Sequence, residues 1–246
     1  GGGYSMSELP LLRPEHIDGY IQVPDEQAVL CARRLAREEG IFAGGSSGAA
    51  TLLCVAPSLG GLGLPGLLRY AFRKSGSLEK GFTDSVDIDI TAAAEGGRRG
   101  TTRFLSGERQ IKFPEVAEPE SNPVLLYFLE REIREMARLT GGQPNHFRQR
   151  IRLALADAAE IKDVDIRIRG QTISARRISI APYGSDPNRH RFERLATKRY
   201  EFTVSDQVPG FIYQIRAQIP AASDAKKKAD LLDETLTYES SGPPSH

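Results

Sequence analysis

The chain has no tryptophan and, in 246 residues, only two cysteines, two methionines and four histidines. Cys31 and Cys54 make neither a CxxC pair nor a zinc-ligand spacing, and the chain is too long to be a disulfide scaffold. Cys31 falls on the apolar face of an expected helix and reads as a core thiol, so the compartment is cytoplasmic by default. His16, His146, His190 and His246 are dispersed, without an i,i+4 pair or an HExxH run, and support no metal site. A net charge of +1 lacks the excess of one sign that would draw the whole molecule to nucleic acid or a membrane surface. Residues 41–68 carry no charge, but Pro57, Gly60, Gly61, Gly63, Pro65 and Gly66 interrupt them, so no membrane span is expected. There is no phosphate-binding Walker loop, no GxSxG elbow, no dinucleotide fingerprint and no internal repeat. The chain opens Gly-Gly-Gly-Tyr, as expected of a fragment or a processed product. The length of 246 residues is enough for one large domain or two small ones, and a hydrophobic content of 39% allows a globular core that is not rich.

The one stretch that points to chemistry is Gly40–Ala50. An apolar run, Ile41-Phe42-Ala43, ends in Gly44-Gly45, followed by Ser46, Ser47, Gly48, Ala49 and Ala50. This pattern reads as strand, tight turn and helix start, which would present backbone N–H groups and a positive dipole end to a ligand. The alternative is an ordinary Gly/Ser turn. Upstream, Gly19–Val23 suits a short strand. Asp25 and Glu26 begin a helix with Ala28, Val29, Ala32, Leu35 and Ala36 on one face, stopped by Gly40. Residues 17–50 together resemble the cysteine synthase and cystathionine β-synthase family of fold-type II pyridoxal-phosphate enzymes. The resemblance implies that Ser46, or else Ser47, bonds the pyridine nitrogen of pyridoxal phosphate, with Gly45 and Gly48 leaving room for the ring. It covers about the first fifth of the chain. The family's Schiff-base lysine motif, substrate loop and phosphate cradle have no counterpart, so a complete cysteine synthase is not expected.

Beyond residue 51 the pattern changes. Residues 52–82 read as a Gly/Leu/Pro-rich linker. In residues 83–91, Val86, Ile88 and Ile90 alternate with Asp87 and Asp89, which predicts a half-buried strand, and Thr101–Leu105 predicts a second. After a Pro/Glu linker, a strong helix starts at Ser121-Asn122-Pro123 and ends at Gly141-Gly142. A second runs from an Asn145 cap to about Ala159. Strands are expected around Val164–Ile168, Ile173–Ile180, Tyr200–Val204 and Phe211–Ile219. The change of parity between Ala175 and Ile178 predicts a β-bulge at Arg176-Arg177. Residues 222–246 read as a frayed helix and tail.

The expected fold class is α+β, with a fold-type II pyridoxal-phosphate segment (1–51) followed by a domain of two helices and a mostly antiparallel sheet (83–221). Two functional readings stand. One is a pyridoxal-phosphate β-replacement fragment that needs its lysine from a partner chain in a homo- or hetero-oligomer. The other is a non-catalytic binding or accessory module for a polyanion or a protein. From His146 to Arg199 there are 13 Lys and Arg against 6 Asp and Glu, including Arg148, Arg150, Arg152, Arg167, Arg169, Arg176, Arg177, Arg189, Arg191 and Arg194. Such charge suits a phosphate backbone. However, the helical arginines spread around their helix rather than forming one stripe, which favours a solvated face.

Overall fold

A computed structural model of the chain describes residues 58–59, 62–93, 97–117, 119, 121–221 and 230–243. They form one sheet of nine strands with two helices. The strands are β1 (Gly66–Ser75), β2 (Phe82–Ala92), β3 (Arg98–Phe104), β4 (Val116–Ala117), β5 (Glu160–Ile168), β6 (Gln171–Ile180), β7 (Arg199–Val204), β8 (Ile212–Ile219) and β9 (Leu232–Gly242). The helices are α1 (Val124–Thr140) and α2 (Pro144–Asp157). The sheet order is β4-β3-β2-β1-β9-β8-β7-β6-β5, and every neighbouring pair is antiparallel. Two meanders thus meet where β9 docks on β1. Because β4 and β5 lie on opposite edges, the helical pair between them crosses the width of the sheet.

Period-two patterning makes one face apolar. A row of cross-strand neighbours runs Ile178–Phe202–Ile215–Leu236–Phe72, one residue from each of five adjacent strands, all buried. Against this face α1 lays Val124, Leu125, Phe128 and Met136, and α2 lays Phe147, Ile151, Ala154 and Leu155. In α2 these positions recur at three- and four-residue spacing as one stripe, while α1 also buries Tyr127, Arg131, Glu132 and Ile133 and so turns a broader face inward. Gly141, in the left-handed region at φ 67°, ends α1, and Pro144 sits in the first turn of α2.

Asn122 ties the start of α1 to the sheet. Its Oδ1 accepts the Val124 N–H at 3.1 Å, while Nδ2 donates to Tyr70 Oη at 2.7 Å and to the Gly210 carbonyl at 2.9 Å. Gly210 has φ +75°, and a Cβ there would lie 2.6 Å from Leu68 Cδ1 and 2.8 Å from Asn122 Nδ2. No larger side chain fits that approach.

Several expectations are corrected. The fold class changes: the described residues build a β-rich, wholly antiparallel nine-stranded sheet rather than a fold-type II pyridoxal-phosphate arrangement followed by a separate α+β domain. Gly66–Ser75, read as linker, is β1, and Leu232–Gly242, read as tail, is β9. The register of β6 runs without interruption against both β5 and β7, so there is no bulge at Arg176-Arg177. The shift in parity has another cause: Ala175 is buried on one face of β6 and Ile178 and Ile180 on the other. The irregularities lie between Arg69 and Tyr70 and between Thr203 and Val204. Asn145 does not cap α2. Gln143 holds that position, and Asn145 Oδ1 instead accepts from Arg148.

Candidate functional site

Two charged regions stand out, one open and one buried. The open one is a groove of about 1060 Å³ at the β5–β7 end of the sheet. Its floor carries Lys162 from β5, Arg177 and Ser179 from β6, and Arg199 and Glu201 from β7. Its wall is the segment 181–198, with Arg189, His190 and Glu193.

That wall is firmly held. Asp186, buried, accepts from His146 Nε2 at 2.7 Å and from the Asn188 N–H at 2.8 Å, and pairs with Arg150 at 3.4 Å. Arg150 also donates to Ser185 Oγ at 3.0 Å and to the Pro182 carbonyl at 3.3 Å. Beneath these, Tyr183 meets Phe147, Phe192 and Tyr200 edge-on. Charge-assisted bonds and aromatic packing together keep the groove open without a ligand.

The floor gathers several cations in one place. Elsewhere on the same face several cations find carboxylates on adjacent strands, although Arg73 of β1 forms no ion pair among the described residues. Arg69 bonds Asp87 at 2.8 and 3.0 Å, Arg103 reaches the same Asp87 at 2.9 Å, and Arg216 bonds Asp233 at 2.8 and 3.0 Å. In the groove, Arg177 stands directly opposite Lys162 across the β5–β6 ladder. Lys162 pairs with Glu160 on its own strand at 2.7 Å. Arg177 and Arg199 form no ion pair among the described residues. Glu160, Glu193 and Glu201 line the same groove, so it presents both signs of charge.

The buried region lies between α1 and the sheet. Arg131 forks onto Glu234 at 2.7 and 3.0 Å and reaches Glu132 at 2.8 Å. Lys74 joins Glu234 at 3.1 Å, and Lys198 faces Glu132 at 2.5 Å. Phe72 lies under the Arg131 guanidinium at 5.0 Å. Lys74 and Arg138 carry the network outward through Glu79, each at 2.6 Å. Burial pushes the Glu132 carboxyl upward against the pull of Lys198 and Arg131. Burial acts the same way on Glu234, but Arg131 and Lys198 outweigh it and hold that carboxyl well below the usual range. Burial also raises the Tyr183 and Tyr200 phenols. Its inner members, Lys74, Arg131, Glu132, Lys198 and Glu234, are all enclosed, so they brace the fold and offer a ligand no access.

The expected basic region divides accordingly. Arg148 is engaged with Glu130 at 2.9 Å and Arg150 with Asp186, so neither is free for a phosphate backbone. Arg177 and Arg189 reach the groove, and Lys162 and Arg199 join them. Alternation in the sequence marked the strands that carry Lys162, Arg177 and Arg199. Their convergence depends on pairing between strands, which one strand's pattern does not display. Among the described residues no cluster of three or more His, Cys, Asp or Glu could hold a metal ion, and no helix is long and apolar enough to cross a membrane.

Ser46, Ser47, Gly45 and Gly48, the expected cofactor-loop residues, lie outside the described residues. No family model matches the chain, and no curated protein does. Solved structures similar to it include the MucA/MucB complex of Pseudomonas aeruginosa (12% identity, TM-score 0.34, 81% of this chain and 57% of that one). Others are the lipoprotein LppX of Mycobacterium tuberculosis (11%, 0.31, 90% and 98%) and LprF of Mycobacterium bovis (13%, 0.30, 81% and 95%). The chain spans less than three fifths of the length of the MucB chains. No cysteine synthase or other pyridoxal-phosphate enzyme is among the family models, curated proteins or similar structures found for the chain, so the resemblance to cysteine synthase and the expectation of pyridoxal phosphate as cofactor are both corrected.

Proposed function

We propose that the described domain is a non-catalytic binding module that takes a segment of a protein partner in the groove at the β5–β7 end. The observation that carries this reading is the contrast in pairing on one sheet face. Arg69, Arg103 and Arg216 are matched to carboxylates on neighbouring strands; Arg73 stands alone without an ion pair, whereas Arg177 and Arg199, likewise without one among the described residues, line the same concave floor together. Unmatched cations beside carboxylates suit a segment carrying both acidic side chains and hydrogen-bond donors. A uniform phosphate backbone would meet Glu160, Glu193 and Glu201 as repulsive neighbours, so a protein segment fits better than a nucleic acid.

Selection from a displayed random peptide library tests the reading. The wild-type chain should enrich an acidic consensus that an Arg177→Glu/Arg199→Glu variant does not. A single-stranded oligonucleotide serves as the competing probe. If the oligonucleotide binds with steep salt dependence and no peptide consensus emerges, the protein-partner reading fails.

A further inference from the structure

Strand β5 forms one edge of the sheet and, among the described residues, pairs only with β6. The β5–β6 turn consists of Arg169 and Gly170, at φ 49° and 82°. In a two-residue turn of this kind the flanking residues, here Ile168 and Gln171, exchange backbone hydrogen bonds, and bonded and non-bonded pairs then alternate along the ladder. Val164, Ile166 and Ile168 therefore direct their backbone groups toward β6. Asp163, Asp165 and Arg167 turn theirs to the open edge.

The side chains along this edge are self-complementary in one register. Two copies that pair antiparallel about a two-fold axis through the sheet keep like faces together, so odd residues meet odd and even meet even. An axis at Asp163, Val164 or Asp165 sets aspartate against aspartate, and an axis at Arg167 sets arginine against arginine. An axis at Ile166 brings Asp165 opposite the second copy's Arg167 and Asp163 opposite its Arg169. Val164 then meets Ile168, and Ile166 meets itself. Asp163, Asp165, Arg167 and Arg169 are all exposed, and none forms an ion pair within its own chain among the described residues. Edge charges commonly guard against pairing. Here the same four charges disfavour the neighbouring registers and complement one another in a single register.

We infer that the β5 edge is a homodimer interface in which two copies join antiparallel about Ile166 to make one continuous sheet, with Asp165 and Arg167 exchanging partners across the two-fold axis. The groove lies beside this interface, because Lys162 on its floor comes opposite the second copy's Gly170.

Sedimentation of the full chain over a range of concentrations, with charge-reversed variants, tests the inference. The wild type should show a concentration-dependent dimer. Asp165→Arg and Arg167→Asp, each placing two like-charge pairs across the axis, should each weaken it by at least about tenfold. The two single variants mixed in equal amounts should form a heterodimer, because each then supplies the charge the other lacks, and D165R/R167D in one chain should recover the homodimer. The mixing arm also shows that each variant is folded. A monomeric wild type, a dimer that survives either single reversal, or a mixture that stays monomeric would overturn the inference.

Discussion

The network around Arg131 and the groove around Arg177 contain similar side chains and put them to opposite use. Beneath α1, three cations and two carboxylates are enclosed, and the geometry matches each charge to a partner at 2.5 to 3.1 Å. At the β5–β7 end, cations stand on an open floor and two of them form no ion pair among the described residues. Enclosure makes an unmatched charge very costly, so the inner set is closed and its worth lies in the fold. Water pays for an exposed charge, so the outer set can stay unmatched and keep its capacity for a ligand.

The largest test of that contrast is Glu234→Ala. It strips Lys74 and Arg131 of their shared carboxylate inside the protein. Breaking a buried pair in this way costs about 3–5 kcal/mol, and urea unfolding should show a loss of that size. A loss below about 1 kcal/mol, the scale of a surface pair, would mean that water reaches the network and that the two regions do not differ in enclosure.

The two carboxylates of the network should also respond to pH in opposite senses. Glu132 is raised by burial from 4.5 to about 7, so the folded state keeps this proton longer than the unfolded chain. Its contribution to stability is full below about 4.5 and is lost as pH rises toward 7. Glu234 is lowered, so its contribution is present above 4.5 and is lost only as pH falls through its depressed value. Glu132→Gln removes the first effect and leaves the second. The urea midpoint of the variant, followed from pH 4 to 8, should lack the decline that the wild type shows between about 4.5 and 7. Parallel curves for the two proteins would show that Glu132 is not the titrating group.

The network also explains what could and could not be read from the sequence. Strand β2 was legible because Val86, Ile88 and Ile90 alternate cleanly with polar residues. Helices α1 and α2 were legible from apolar spacing, and the end of α1 from Gly141, but the sequence pattern puts the start of α2 at Asn145 instead of Gln143. The two strands at the meeting of the meanders were not. In β1 the buried series Leu68, Tyr70, Phe72 continues into Lys74, and in β9 the series Leu232, Leu236, Tyr238 is interrupted by Glu234. Lys74 and Glu234 face each other across β1 and β9. One charge pair therefore spoils the apolar period of both strands, and only their pairing shows why each charge is tolerated. The groove was illegible for a related reason, since Lys162, Arg177 and Arg199 converge only once three strands are in register.

Asn122 extends the comparison to a neutral group. It is buried and serves Tyr70, Gly210 and Val124 at once. Asn122→Ala leaves a phenol, a carbonyl and a helix-start N–H without this partner. The expected cost is about 1–3 kcal/mol, the range for buried groups deprived of a hydrogen bond, and less than that of Glu234→Ala because no net charge is stranded. Chemical denaturation of both variants in one buffer ranks them. A reversed order would mean that the hydrogen-bond hub outweighs the ionic one.

The smallest expected effect carries the opposite sign. Arg177 and Lys162 face each other on β6 and β5, and like charges directly opposite on a ladder are unfavourable. Arg177→Glu turns that repulsion into attraction at a position where no described partner is lost. Stability should rise by a few tenths of a kcal/mol, up to about 1 kcal/mol, and the gain should shrink as salt is added. Over the same substitution, selection of acidic peptides should fail. Such an opposition between stability and binding is the signature expected of residues held for a ligand rather than for the fold. If the variant instead lost stability, Arg177 would belong with Arg69 and Arg216 among the cations that brace the sheet, and the groove would lose its claim to be a site.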